Sequence, residues 1–229
     1  MAKRLLAFVL MLALLALPLV SQADSFNPNR AIAYMESKFQ CGCTRGGTGA
    51  MIGRRGLVTA GHNLYCHQHA SKLKYCNFYF GARGVNSCWY EYSGNFTYRV
   101  YDSFVNGYNS ENDIGYVVFD APVGDQTGWF GWITGYDSAV NMEFMNVLSY
   151  DSTRHVQNVY DIGYLTGINQ VYWYGYINGT EGGPVYINSE GMNYRVVAVY
   201  TSHDSNGNGY GRRLTSDLIN DMRADGAFN

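Results

Sequence analysis

Short apolar runs separated by glycine, asparagine or aspartate turns constrain the fold of this chain more than any other feature. They include Thr48–Ile52, Gly56–Ala60, Lys74–Phe80, Thr97–Tyr101, Gly115–Phe119, Met145–Tyr150, Val171–Tyr176, Pro184–Ile187 and Tyr194–Tyr200. Each has strand length, and many are bounded by turn residues such as Asn86-Ser87, 188–191 and Ser205-Asn206-Gly207-Asn208-Gly209. With 27 Gly, 21 Tyr and only 15% charged residues, the composition suits many short packed strands rather than a helix bundle. One helical pattern stands out, at the end of the chain. Thr215 or Ser216 can cap Asp217–Met222, with Leu218, Ile219 and Met222 on one face. Strands throughout and a terminal helix predict an all-β barrel or sandwich. The 229 residues suffice for one large domain or two small ones sharing a core, and 120–125 is a candidate connection between halves.

The N-terminus reads as an address. Lys3 and Arg4 precede an apolar run, Leu5–Val20, broken only by Pro18, and Ser21-Gln22-Ala23 supplies small residues at the cleavage positions. This pattern predicts a signal peptide over 1–23, with cleavage after Ala23 and a secreted, extracellular or periplasmic, product. The run is short for a membrane span, and no association with a membrane is expected once the segment is removed.

The full chain carries 16 Lys+Arg against 18 Asp+Glu; without Lys3 and Arg4 the balance is 14 against 18, a net charge near −4. No basic stripe is visible, so nucleic acid is not an expected partner. Five cysteines, Cys41, Cys43, Cys66, Cys76 and Cys88, lie in the first half. Export favours disulfides, and an odd count leaves one thiol over. Cys76 with Cys88 is a candidate local bridge, and Cys66 with Cys41 or Cys43 another; the pairing stays open. Cys41-x-Cys43 and Cys66-His67-Gln68-His69 also contain zinc-ligand types. Their spacing lacks the usual C-x-x-C pattern, so neither metal nor other cofactor is expected.

Three segments carry chemistry only when taken together. In Gly56-Leu57-Val58-Thr59-Ala60-Gly61-His62 an apolar run ends on small residues and presents a histidine, the side chain best suited to move protons near neutral pH. In Asn112-Asp113-Ile114-Gly115-Tyr116 an aspartate stands immediately before an apolar strand, where it can orient an imidazole. In Gly179-Thr180-Glu181-Gly182-Gly183-Pro184 the glycines let backbone amides converge on one point. Singly, each is most simply a strand end or a turn. Their order, histidine then aspartate then glycine elbow, is the informative feature.

In that order the segments TAGH, NDIGYVVFD and GTEGGPVY resemble the three blocks of trypsin-like serine peptidases, and most closely the secreted bacterial glutamyl endopeptidase branch. GTGAMIGRRGLVTAGHNLY, APVGDQTGWFGW and GRRLTSDLINDM extend the similarity over most of Asn27–Met222. The resemblance implies two antiparallel β-barrels of about six strands each, spanning 24–125 and 126–229, with the active-site cleft between them and a short C-terminal helix. It implies His62 as general base, Asp113 as its orienting acid, and the backbone N–H groups of Gly179 and Glu181 as the oxyanion hole. Of the glutamyl branch's pocket histidine, Tyr200 holds the matching position; His203, three residues on, is the candidate substitute. An acidic side-chain preference is therefore not implied.

Glu181 falls where the family places its nucleophilic serine, and the following Gly-Gly-Pro leaves no room for a shifted alignment. His62 then has no serine proton to take. Thr180 is expected to point away, and Ser189 to lie too far along the chain. The expectation is that Glu181 locks the site, by pairing with protonated His62 or by filling the oxyanion hole. The resulting reading is a secreted, catalytically inactive peptidase homologue that binds a peptide or protein. Two others stand beside it. One is an active endopeptidase with an unrecognised nucleophile. The other is a carbohydrate binder using Trp129, Phe130, Trp132, Trp173, Tyr174 and Tyr176, residues that serve equally well as core. Oligomeric state is not legible.

Overall fold

The computed structural model describes residues 26–108, 110–134, 141–166, 169–175, 177–189 and 193–229. The expected signal peptide and its cleavage site, Tyr176, and part of the 188–191 turn lie outside the described residues.

Sixteen strands form two sheets among the described residues. The first comprises β1 (Ile32–Phe39), β2 (Thr44–Met51), β3 (Gly56–Thr59), β4 (Tyr65–Cys66), β5 (Ser71–Phe80), β6 (Tyr90–Tyr92), β7 (Phe96–Val100) and β8 (Gly115–Phe119). Its order is β4-β5-β1-β2-β3-β8-β7, with β6 on β5. The second comprises β9 (Gly131–Trp132), β10 (Phe144–Tyr150), β11 (Val156–Ile162), β12 (Tyr164–Thr166), β13 (Gln170–Trp173), β14 (Pro184–Ile187), β15 (Arg195–His203) and β16 (Gly209–Arg213). Its order is β11-β10-β14-β15-β16-β13-β12, with β9 on β15. All pairings are antiparallel except β9 with β15, where Arg195 faces Gly131. The first sheet curls into a barrel and the second into a half-barrel. Each sheet has eight strands where the resemblance implied about six; β4 and β9, two residues each, are among the additional ones.

The cores follow from the alternation. In β5 the pattern Leu73, Cys76, Phe78, Phe80 turns inward. Phe78 meets Phe119 edge-on with ring centroids 4.9 Å apart, the geometry aromatic quadrupoles prefer. The second core gathers Val171, Trp173, Val185, Val197 and Tyr200. Tyr150 stitches the halves together. Its backbone N–H donates to Thr48 Oγ1 (3.0 Å), and its hydroxyl accepts from Ala82 N–H (3.0 Å) and donates to Ile32 O (3.3 Å).

Three helices are described: α1 (Asp102–Asn106), α2 (Gly124–Thr127) and α3 (Ser216–Ala224). Thr215 caps α3, its side-chain oxygen accepting from Leu218 N–H at 3.3 Å. The buried face of α3, Leu218, Ile219 and Met222, joins the core of the first sheet. Tyr101 and Tyr116 donate to Asp221 (3.1 Å) and Asp225 (2.6 Å) at its far end. The chain thus closes by returning to the half in which it began.

The cysteines depart from expectation. All five are free. Cys76 lies inside the β1–β5 pair opposite Ser37, where Ser37 Oγ approaches its sulfur at 3.6 Å. A side chain turned into the sheet cannot reach out to the loop carrying Cys88, and no Cys76–Cys88 bridge forms. Burial pushes the Cys76 thiol up to about 12.

Candidate functional site

His62 stands on a 3-10 turn, Gly61–Asn63, immediately after β3. Gly61 is required by proximity: a Cβ there would lie 3.0 Å from Phe104, 3.2 Å from Asp113 Oδ1 and 3.2 Å from Ile114 N. That space lets Asp113, just before β8 and only 5% exposed, approach the turn closely. Asp113 Oδ1 accepts the His62 backbone N–H at 2.9 Å, and Oδ2 lies 2.6 Å from ring Nδ1. A carboxylate beside Nδ1 can accept an N–H only from that nitrogen, which turns Nε2 to the opposite side of the ring.

Glu181 comes to the same place from the second sheet. Its carboxylate Oε2 is 3.9 Å from His62 Nε2, with the side chain one-third exposed. This separation exceeds a direct hydrogen bond and is ion-pair distance when the ring is protonated. His62, Asp113 and Glu181, 119 positions apart at the extremes, therefore form one array, with a carboxylate on each side of the imidazole.

The elbow holding Glu181 is over-determined. Gly182 adopts φ +104°, and a Cβ there would sit 2.0 Å from Thr48 O. A Cβ on Gly183 would overlap Leu148 O, and one on Gly179 would meet Ser149 Oγ at 2.4 Å. The carbonyls are also fixed. Thr180 O accepts from Ser149 Oγ and from Thr48 Oγ1 (3.2 Å). Glu181 O accepts from Thr48 N–H (2.9 Å) and Asn63 Nδ2 (2.9 Å). Because a trans peptide directs its N–H opposite its C=O, anchoring Thr180 O inward turns the Glu181 N–H outward. Among the described residues, neither that N–H nor the Gly179 N–H has an acceptor.

The alternative hydroxyls are committed elsewhere. Thr180 Oγ1 is turned to Thr48 Oγ1 at 2.8 Å. Ser149 is fully buried behind the elbow, and Ser189 is exposed beyond the end of β14. Tyr200 is 0% exposed, its ring 5.8 Å from Trp173 in the second core. A wholly enclosed ring offers no wall to a substrate, so the expectation of direct contact through Tyr200 is corrected. Its hydroxyl lies 3.0 Å from Nδ1 of His203, and of the two only His203 is exposed. The aromatic residues divide similarly. Phe130 and Trp173 are core; Trp129 and Tyr174 are exposed.

Sequence reasoning missed Asn63, Thr48 and Ser149. They sit in or beside apolar runs as small polar residues, and nothing in a single sequence marks them as the scaffold of the elbow. Asn63 occupies the position after the histidine where the resembled family often has cysteine. Here its carboxamide ties the histidine turn to the elbow.

The chain's arrangement of two curled antiparallel sheets recurs in solved structures. A Glu endopeptidase in complex with MPD superposes with TM-score 0.71 at 17% identity, covering 88% of this chain and 93% of that one. This is the chymotrypsin fold. A thermostable serine protease, AL20, from an extremophilic microorganism shares this fold with TM-score 0.73 at 11% identity, over 88% of this chain and 99% of its own. Among curated proteins, an extracellular metalloprotease of Bacillus subtilis (strain 168) is 25% identical over 211 residues, 89% of this chain. The chymotrypsin-fold chain spans 66% of that relative's length. No family model matches.

Proposed function

We propose that this chain is a secreted, catalytically silent homologue of trypsin-like serine peptidases, binding a peptide or protein where the two sheets meet. The observation that carries the reading is the 3.9 Å approach of Glu181 Oε2 to His62 Nε2. That nitrogen is the atom which, in a serine peptidase, takes the nucleophile's proton. Here it faces a carboxylate that has no proton to give when ionised and attacks an amide poorly. When the ring is protonated the two groups pair instead. Against a one-third-exposed carboxylate such a pair is worth about 1 kcal/mol or less. It therefore blocks the chemistry without being a major prop of the fold.

The rest of the machinery supports descent from an active enzyme. Asp113 orients the ring, and the outward N–H of Glu181, with the N–H of Gly179, is the candidate oxyanion hole. His203, held by Tyr200, is the candidate contact to a bound side chain. Export rests on the N-terminal pattern and on the relative named as extracellular, and no described helix is long and apolar enough to cross a membrane.

The test is restoration. The native chain is expected neither to degrade unfolded casein nor to react with a fluorophosphonate. Glu181→Ser is expected to gain both properties, and Glu181→Ser with His62→Ala to lose them again. Turnover by the native chain that His62→Ala abolishes would overturn the proposal in favour of an active enzyme with another nucleophile.

A further inference from the structure

A second constellation of reactive side chains lies away from the His62–Asp113–Glu181 array. Cys41 occupies the turn between β1 and β2, and Cys43 stands just before β2. Cys66 ends β4, and His69 lies in the 3-10 turn His67–His69 that follows. Their three sulfurs and one ring nitrogen all lie within 4.8 Å of one another. We propose that Cys41, Cys43, Cys66 and His69 form a structural metal site that takes zinc.

The geometry suits that ion. Zn–S bonds of about 2.3 Å and Zn–N bonds of about 2.0 Å in a tetrahedron set ligand atoms roughly 3.5–3.8 Å apart. His69 Nδ1 is 3.3 Å from Cys43 Sγ and 3.6 Å from Cys66 Sγ. Three thiolates and an imidazole are a borderline-soft donor set, and four protein ligands close the coordination sphere, as in structural rather than catalytic zinc sites.

The backbone is built to hold the cluster. Gly42 takes φ +90° with nothing within 4 Å of where its Cβ would be, so the chain reverses tightly between Cys41 and Cys43. Gly42 N–H donates to Phe39 O (3.0 Å), and Phe39 N–H to Cys43 O (2.9 Å). The second loop is fastened to the first by Cys41 N–H donating to Ser71 Oγ (2.9 Å) and Gln40 N–H to Lys72 O (3.0 Å). On the other side Ala70 reverses the chain at φ 44°, directly after His69.

Disulfide chemistry explains the arrangement less well. Three sulfurs cannot all be consumed by one bridge, and neither other cysteine belongs to the cluster: Cys76 is buried in the β1–β5 pair and Cys88 stands in the segment between β5 and β6. Nor does a disulfide give His69 anything to do.

A metal here would join the β1–β2 turn to the segment that carries His62, since Cys66 follows His62 by four residues. Arg45, two residues beyond Cys43, already reaches His62 O at 3.4 Å. Loading would thus stiffen the histidine turn without contacting the ring.

The test uses the exported product of the full sequence. Elemental analysis is expected to find one zinc per chain, and cobalt(II) exchanged into the site is expected to show the visible absorption of tetrahedral thiolate coordination. His69→Ala is expected to weaken zinc binding by ~10-fold or more, whereas it would leave a disulfide intact. Zinc added to metal-stripped protein is expected to raise the midpoint of thermal unfolding. Intact mass of the unreduced protein, showing two hydrogens lost to a bridge between Cys66 and Cys41 or Cys43 with no bound metal, would overturn the proposal. So would zinc binding unchanged in both His69→Ala and Cys66→Ser.

Discussion

Asp113 holds His62 twice. One carboxylate oxygen takes the backbone N–H at 2.9 Å and the other meets ring Nδ1 at 2.6 Å. The pair therefore fixes both the loop and the rotamer of the imidazole. Asp113→Asn keeps the shape but replaces one acceptor oxygen with an amide that cannot accept from Nδ1–H. Loss of a charge-assisted bond at a 5% exposed residue should lower stability by roughly 1–3 kcal/mol. Thermal unfolding of the variant checks this. In the Glu181→Ser background the same change should reduce the restored turnover by about 10³–10⁴, because the wrong tautomer then faces the serine. An unaltered rate would show that Asp113 does not orient the ring.

Two glycines with similar dihedral angles should respond differently to alanine. Gly42 has φ +90° and open space; Gly182 has φ +104° and the Thr48 carbonyl 2.0 Å from its missing Cβ. Left-handed backbone costs a non-glycine residue about 1–2 kcal/mol. Gly42→Ala should lose only that much. Gly182→Ala adds the displacement of Thr48, for about 2–5 kcal/mol in all, or fails to fold. Denaturant midpoints of the two variants measure the gap, and equal losses would contradict the packing described at the elbow.

Most strands, the helix cap and the order His62, Asp113, glycine elbow were readable because each has a local cause. Turn residues bound the strands, Thr215 precedes an amphipathic face, and glycines admit the sharp elbow. β1 was not readable. Ile32-Ala33-Tyr34-Met35-Glu36-Ser37-Lys38-Phe39 mixes residues that favour helices and is buried over most of its length, because it lies between β2 and β5. Burial on both sides removes the alternation that marks a half-exposed strand. That Glu181 meets His62 was expected from its place in the elbow, and a link of Cys66 to Cys41 or Cys43 from the cysteines; the 3.9 Å separation and the gathering of all three cysteines with His69 were out of reach. Both depend on loops brought together by the sheets. The cysteines show the same limit: export argues for disulfides, and the fold decides which sulfurs meet.

Cys76 should make the protein labile in alkali. Its thiol is pushed up from an ordinary value of 9.0 to about 12 by burial. In the unfolded chain it ionises near pH 9. Between those values the unfolded state has released a proton that the folded state retains, so stability falls as pH rises. The contribution is fully present below about pH 9 and is progressively lost towards pH 12. Buried tyrosines such as Tyr186, also pushed up to about 12, add to the same slope, so the diagnostic quantity is a difference. Cys76→Ala should unfold less steeply with rising pH than the native chain in denaturant titrations. Parallel slopes would mean that the thiol titrates alike in both states.

Asn63 joins the two halves of the candidate site. It is 1% exposed; its Nδ2 donates to Glu181 O at 2.9 Å and to Thr59 Oγ1 at 3.0 Å. Asn63→Ala leaves one acceptor site on the Glu181 carbonyl unmet, although Thr48 N–H still reaches it, and opens a small cavity beside Gly47 and Gly182. The stability cost should be roughly 1–3 kcal/mol. If the carboxamide also aims the elbow, its removal in the Glu181→Ser background should lower turnover by more than it weakens ligand binding, because a tilted peptide plane misplaces the Glu181-position N–H. A kcat loss with KM preserved, persisting at a temperature where the variant is fully folded, identifies that role. A loss that vanishes once folding is complete would make Asn63 a purely structural residue.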